Sequence, residues 1–220
     1  SRYRAAAQIE PHVSIALRIA NLQRVSGEFD AAIATLAEAT RTEKHTPVVL
    51  SSIALQTGMI ASARGDYATA KDWYDRAETL FSGHWLIGLY RAEARLAKGQ
   101  TDGAIADLER LVRDHARPEA MDMLALVWRI RGDNVRSRHW SRRAGAVWRE
   151  WMDKYPAAFA AHAAEHELVF GDPQEALQLA TVNAKARPYG EARLLLARAL
   201  MANDQARAAL NEIRLAERSG

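Results

Sequence analysis

The chain has 220 residues, 49% of them hydrophobic and 26% charged, a balance that marks a folded globular protein and not a disordered one. It holds no cysteine, which excludes disulfides, thiolate catalysis and cysteine-ligated zinc, and which suits the cytoplasm and the periplasm alike. Net charge is only +3, although the pI is about 9.3 because 25 arginines outnumber five lysines, and so mild an excess does not by itself imply a nucleic-acid partner.

In chain order the elements read as helices separated by tight turns. "YRAAAQIEP", residues 3–11, reads as the close of a helix, with Tyr3, Ala6 and Pro11 in the closing positions. Beyond it the chain is apolar at helical spacing and contains almost no strand-like alternation. Turns fall in "SGEFDAAI", "RGDYATAKDWYDRA", "KGQTDGAI", "RGDNVRSR" and "FGDPQEAL", at Gly27, Gly65, Gly99, Gly132 and Gly171. A sixth, "NDQARAAL", places Asp204 at the same point. The steps are 38, 34, 33, 39 and 33 residues, and a period near 34 with one turn at its middle predicts stacked helical hairpins. No apolar run approaches the roughly 18 residues of a membrane span, and the opening residues show no signal-peptide pattern.

Seven residues before each turn stand Ala20, Gly58, Ala92, Ala125, Ala164 and Ala197; five after stand Ala32, Ala70, Ala104, Ser137, Ala176 and Ala209. Antiparallel helices reach the short end of the roughly 8–10 Å packing range only where the crossing point carries no bulk. A third register holds Ala39, Ala77, Ala144 and Ala216 but departs at Leu111 and Asn183, which predicts looser packing there.

In these features the chain resembles the tetratricopeptide-repeat (TPR) family, most fully in its second hairpin, with Gly58, Gly65-Asp66-Tyr67, Ala70, Tyr74 and Ala77. The resemblance implies an all-α, right-handed α-solenoid of about six helix-turn-helix repeats and about thirteen helices. The expected array runs from the end of a preceding repeat (1–12) through repeats at 13–50, 51–84, 85–117, 118–156, 157–189 and 190–220. Solenoids need capped ends, and none is evident, so the chain reads as a piece of a longer protein. Two linkers are long: "TRTEKHTPVV" after the first hairpin, and "GAVWREWMDKYP" after the fourth, whose Trp148 and Trp151 are expected to cover the next hairpin.

The resemblance also implies a non-catalytic scaffold that takes a peptide or helix of a partner protein into an apolar groove built by the first helices. Leu55, Met59, Leu86, Leu89, Tyr90, Met123 and Leu126 occupy its expected positions, with His162, Glu165 and Arg198 toward one end and Glu93 and Asp122 beside the apolar floor. Asn21 matches the asparagine with which some relatives grip a C-terminal carboxylate, but Leu17 replaces their lysine, which argues against that mode.

Two stretches point elsewhere. His162-Ala163-Ala164-Glu165-His166 has the spacing that some zinc hydrolases carry on a helix. Such a site needs three protein ligands and an open position. Only Glu119, Asp122 and Glu191 stand on neighbouring first helices, so His162 and His166 are read as a satisfied pair, without metal or other cofactor. His162 and Glu165 are expected to face the groove and His166 the next hairpin. His12, His45, His84 and His115 read as exposed loop residues. The second stretch, "RIRGDNVRSRHWSRR", sets Arg136, His139, Trp140 and Arg143 on one helix face, a ridge suited to an acidic partner or to phosphates with Trp140 stacking on a base. Reading nucleic acid by repeats needs such residues in every hairpin, and only the fourth has them, so nucleic acid is the less favoured partner. Asp133 and Glu150 are the expected acidic partners of these arginines. Dinucleotide, phosphate-loop, nucleophile-elbow and EF-hand motifs are all missing, which leaves no enzyme signature.

Overall fold

A computed structural model describes residues 13–42 and 44–218. Among them every regular element is helical: α1 (Val13–Val25), α2 (Phe29–Thr42), α3 (Pro47–Ala63), α4 (Tyr67–Leu80), α5 (Trp85–Ala97), α6 (Thr101–His115), α7 (Pro118–Ile130), α8 (Asn134–Lys154), α9 (Pro156–Phe170), α10 (Pro173–Ala186), α11 (Gly190–Ala202) and α12 (Ala206–Glu217). None is long and apolar enough to cross a membrane. The helix end expected within residues 1–12, including Tyr3, Ala6, Pro11 and His12, lies outside the described residues. The chain divides into two compact units, residues 1–115 and 116–220. In the first, α1 packs on α2, α3 on α4 and α5 on α6; in the second, α7 packs on α8, α9 on α10 and α11 on α12.

The repeated turn has a local cause. Gly27, Gly65, Gly99 and Gly132 adopt φ between 72° and 81°, the left-handed conformation that ends a helix at no steric cost. An aspartate follows in two of them and caps the next helix: Asp66 accepts from the Thr69 N–H at 3.1 Å and Asp133 from the Arg136 N–H at 2.9 Å. The fifth turn differs, since Gly171 has φ −122°. There a Cβ would collide with the Glu167 carboxylate, which folds over Gly171 to accept the Asp172 N–H at 2.9 Å, so glycine is required by crowding and not by φ.

All the small residues at the two crossing registers are buried, as close helix approach requires. At Gly58 the space of a side chain is taken by the Tyr74 ring. Leu111 and Asn183, the two departures from the third register, are both buried. Gly88 makes the room at the first: a Cβ there would sit 2.8 Å from Leu111 Cδ2. Bulk has moved from one helix to its neighbour.

An ionic cluster ties the second and third hairpins of the first unit. Asp107 on α6, only 4% exposed, lies 3.2 Å from Arg95 and 3.5 Å from both Arg91 and Arg110. Arg91 also reaches Asp75 on α4 at 3.9 Å. In the second unit the long fourth linker becomes extra turns of α8, which spans 21 residues, and carries Trp148 into the core at 2% exposure.

Candidate functional site

In the first unit, α1, α3 and α5 are the first helices of their hairpins. Leu55 and Leu89, expected on an open floor, are 7% and 8% exposed and spend nearly all their surface on neighbouring helices. Met59, Leu86 and Tyr90 are half-buried against the same core of Leu55, Tyr74 and Ile87. Beside them opens a cavity of about 350 Å³ lined by Arg24 of α1, Met59 and Ser62 of α3, Tyr67 and Tyr74 of α4, and Tyr90 and Glu93 of α5. The Tyr74 and Tyr90 rings stack with centroids 6.0 Å apart, and the Tyr74 hydroxyl lies 3.0 Å from that of Ser62.

Crowding governs the protons here. Burial pushes the Tyr74 phenol up to about 12, against the opposing hydrogen bond from Ser62. It also raises Tyr90, to which the Glu93 carboxylate adds, and it raises Glu93 itself. Arg24 opposes the rise of both phenols, so a cation and an anion flank the ring pair. Arg24 is held by Asn21, whose Oδ1 accepts from Nη2 at 3.0 Å. That contact engages Asn21 with its own helix.

The corresponding face of the second unit is built differently. Trp148 donates its indole N–H to Asp122 Oδ2 at 2.8 Å and stacks on the His162 ring at 5.7 Å. His166 Nδ1 meets the other Asp122 oxygen at 2.6 Å, and a Cβ on Gly145 would lie 2.9 Å from its Nε2. His166 therefore turns back onto α7 and α8 of the preceding hairpin and not, as expected, toward the next one; Asp122 and the bare Gly145 draw it there. The two histidines of the motif point to different places, one into the core and one at the surface. Among the described residues no group of three or more His, Asp or Glu side chains is placed to hold a metal ion.

His162 and Glu165 are a surface pair 3.7 Å apart, and the nearby carboxylate raises the imidazole above its ordinary range against the effect of burial. Arg198 approaches Glu165 at 3.9 Å. Met123 is half-buried and Leu126 38% exposed. Trp151, Tyr155 and Phe159 extend the aromatic cluster from Trp148, with Arg117 lying 4.8 Å over the Trp151 ring. Both tryptophans thus cover the next hairpin.

On α8, Arg136 is committed to Asp133 at 2.9 Å and lies 3.9 Å over the Trp128 ring. Arg143 covers Trp140 at 4.8 Å and His139 meets the same ring edge-on, so a stacked base would have to displace them. Glu150 pairs with Lys154 and not with an arginine. Arg138, Arg142, Arg143 and Arg149 stand exposed without an acidic partner among the described residues. Two histidines are less free than the sequence implied: His45 hydrogen-bonds the Ala39 carbonyl at 2.6 Å, and His84 caps α5 by accepting from the Leu86 N–H. An apolar opening of about 370 Å³ between α2 and α4, lined by Ile33, Leu36, Leu50 and Trp73, was not foreseen.

No family model matches the chain, and no curated sequence does. Solved structures do. A thermophilic TPR protein of Thermus thermophilus superposes with a TM-score of 0.61 at 18% identity, over 77% of this chain and 91% of that one. A tetratricopeptide-repeat protein from Parabacteroides merdae gives 0.57 at 15% identity, over 99% and 84%. The fold is that of the tetratricopeptide-repeat proteins. The APC/C hetero-tetramer Cut9–Hcn1 also matches, with a TM-score of 0.57 at 12% identity, over 99% of this chain and 42% of that one. In TPR terms, the tyrosine cavity is lined by three first helices and by Tyr67 and Tyr74 of one second helix, and the arginine row lies on a second helix.

Proposed function

We propose that the chain is a non-catalytic protein–protein interaction scaffold that seats a peptide or helix of a partner protein on the first-helix face of its first unit. The open cavity among Met59, Tyr67, Tyr74 and Tyr90 carries this reading. The partly exposed Met59, Tyr67 and Tyr90, backed by the fully buried Tyr74, give a partner apolar contact at little cost in ordering. Leu86 extends that surface, while Leu55 and Leu89 support it from below. Met123, Leu126, His162, Glu165 and Arg198 form the matching face of the second unit, where the charges already pair among themselves. Cut9–Hcn1, a hetero-tetramer by its description, supports the reading as an instance of this fold in an assembly. Affinity capture should recover a defined protein whose retention falls on Met59→Asp but not on Val135→Asp, an exposed position on α8, with both variants showing native circular dichroism. Equal retention by both would overturn the reading.

The unpaired Arg138, Arg142, Arg143 and Arg149 favour a second reading, docking of an acidic protein partner on α8. Exchanging Arg138 and Arg142 for glutamine would then abolish capture of a partner that Met59→Asp leaves bound. Nucleic-acid binding through the same ridge would show as retention on RNA that falls steeply with salt.

A further inference from the structure

Glu93 is the acidic member of the tyrosine cavity, and the cations around it make their contacts with other residues. Arg24 donates to Asn21, while Arg91 and Arg95, on the same helix as Glu93, serve Asp107. No Lys, Arg or His side chain lies within ion-pair distance of Glu93 among the described residues, and the residue is exposed where it lines the cavity. An unpaired carboxylate beside aromatic rings attracts an incoming cation.

We infer that the cavity receives a lysine or arginine side chain of the bound protein segment, its aliphatic stem against Met59 and Tyr90 and its cationic head on Glu93. This rests on the docking reading given above. Three features support it together. The floor is aromatic, and tyrosine rings attract a cation as well as an apolar stem. Arg24 also lines the cavity and repels a cation brought near it, which directs the head to Glu93. The volume of about 350 Å³ accommodates one long side chain.

The test is selection from a random dodecapeptide library displayed on phage, run on the unaltered chain and on Glu93→Gln, with circular dichroism confirming the fold of each. Peptides won by the unaltered chain should carry Lys or Arg at a recurrent position and bind Glu93→Gln about tenfold more weakly. Replacing that residue by norleucine should cost as much, with no further loss when both changes are combined. Peptides that lose binding on Met59→Asp yet carry no basic residue, or that bind Glu93→Gln equally well, would overturn the inference and leave the docking reading standing. If no peptide is sensitive to Met59→Asp, both fall.

Discussion

The two units solve one problem in opposite ways. Each must hold three hairpins together while exposing the face built by its first helices. The first unit places its extra binding energy behind that face, in the buried Asp107 cluster and the Tyr74 ring over Gly58, and leaves a cavity open in front. The second drives Trp148 into the seam from a lengthened second helix and closes it with Asp122, His162 and His166. One face is open with an acid that has no ion-pair partner among the described residues, and the other is filled, with His162, Glu165 and Arg198 paired among themselves. Their contrast teaches that identical small-residue crossings set how hairpins pack but not whether the face between them stays free.

The largest expected effect breaks the filled side. Trp148→Ala removes the wedge and should destabilise the protein by about 3–5 kcal/mol, measured by chemical denaturation. A loss below about 1 kcal/mol would mean that the seam closes without it. On the open side, Asp107→Ala leaves Arg95 without its anion and Arg91 with only the more distant Asp75, and should cost about 3 kcal/mol. An unchanged midpoint would remove the cluster from the account. Ala125→Leu, at a crossing with no free surface, should cost about 1–3 kcal/mol through overpacking.

Smaller effects sharpen the difference in charge. Glu93 is raised by burial, so the folded state holds its proton more tightly than the unfolded chain does. That contribution is fully present below the ordinary carboxylate pKa and is lost as pH rises through the raised one. Glu93→Gln should therefore raise Tm at neutral pH, with the gap closing in acid; a fall in Tm at neutral pH would show that the carboxylate is compensated. His162 is raised by the neighbouring Glu165 carboxylate, so its contribution is also full below the ordinary imidazole pKa and fades as pH rises through the raised value. Its side chain is 53% exposed, and His162→Gln should cost well under about 1 kcal/mol, and only at the acid end of that window.

Much of the fold was legible because its causes are local and periodic. Turn glycines and small crossing residues recur near every 34 residues, and all the crossing positions are buried. What escaped depends on pairs distant in sequence. Nothing in the pattern near Leu111 reveals that Gly88 yields to it, and nothing in the histidine motif reveals that Asp122, 44 residues upstream of His166, turns that ring inward. The site was legible only as a set of positions. Residues facing one side by helical phase include both Leu89, which the core consumes, and Tyr90, which keeps an open edge. Phase gives direction, whereas exposure depends on how far neighbouring helices stand apart.

The open face can be observed directly by methyl NMR of selectively labelled methionines, titrated with a peptide selected as above. The Met59 methyl should shift with peptide concentration while the Met123 methyl holds still. Movement of Met123 with Met59 unchanged would place the partner on the filled unit and contradict the account.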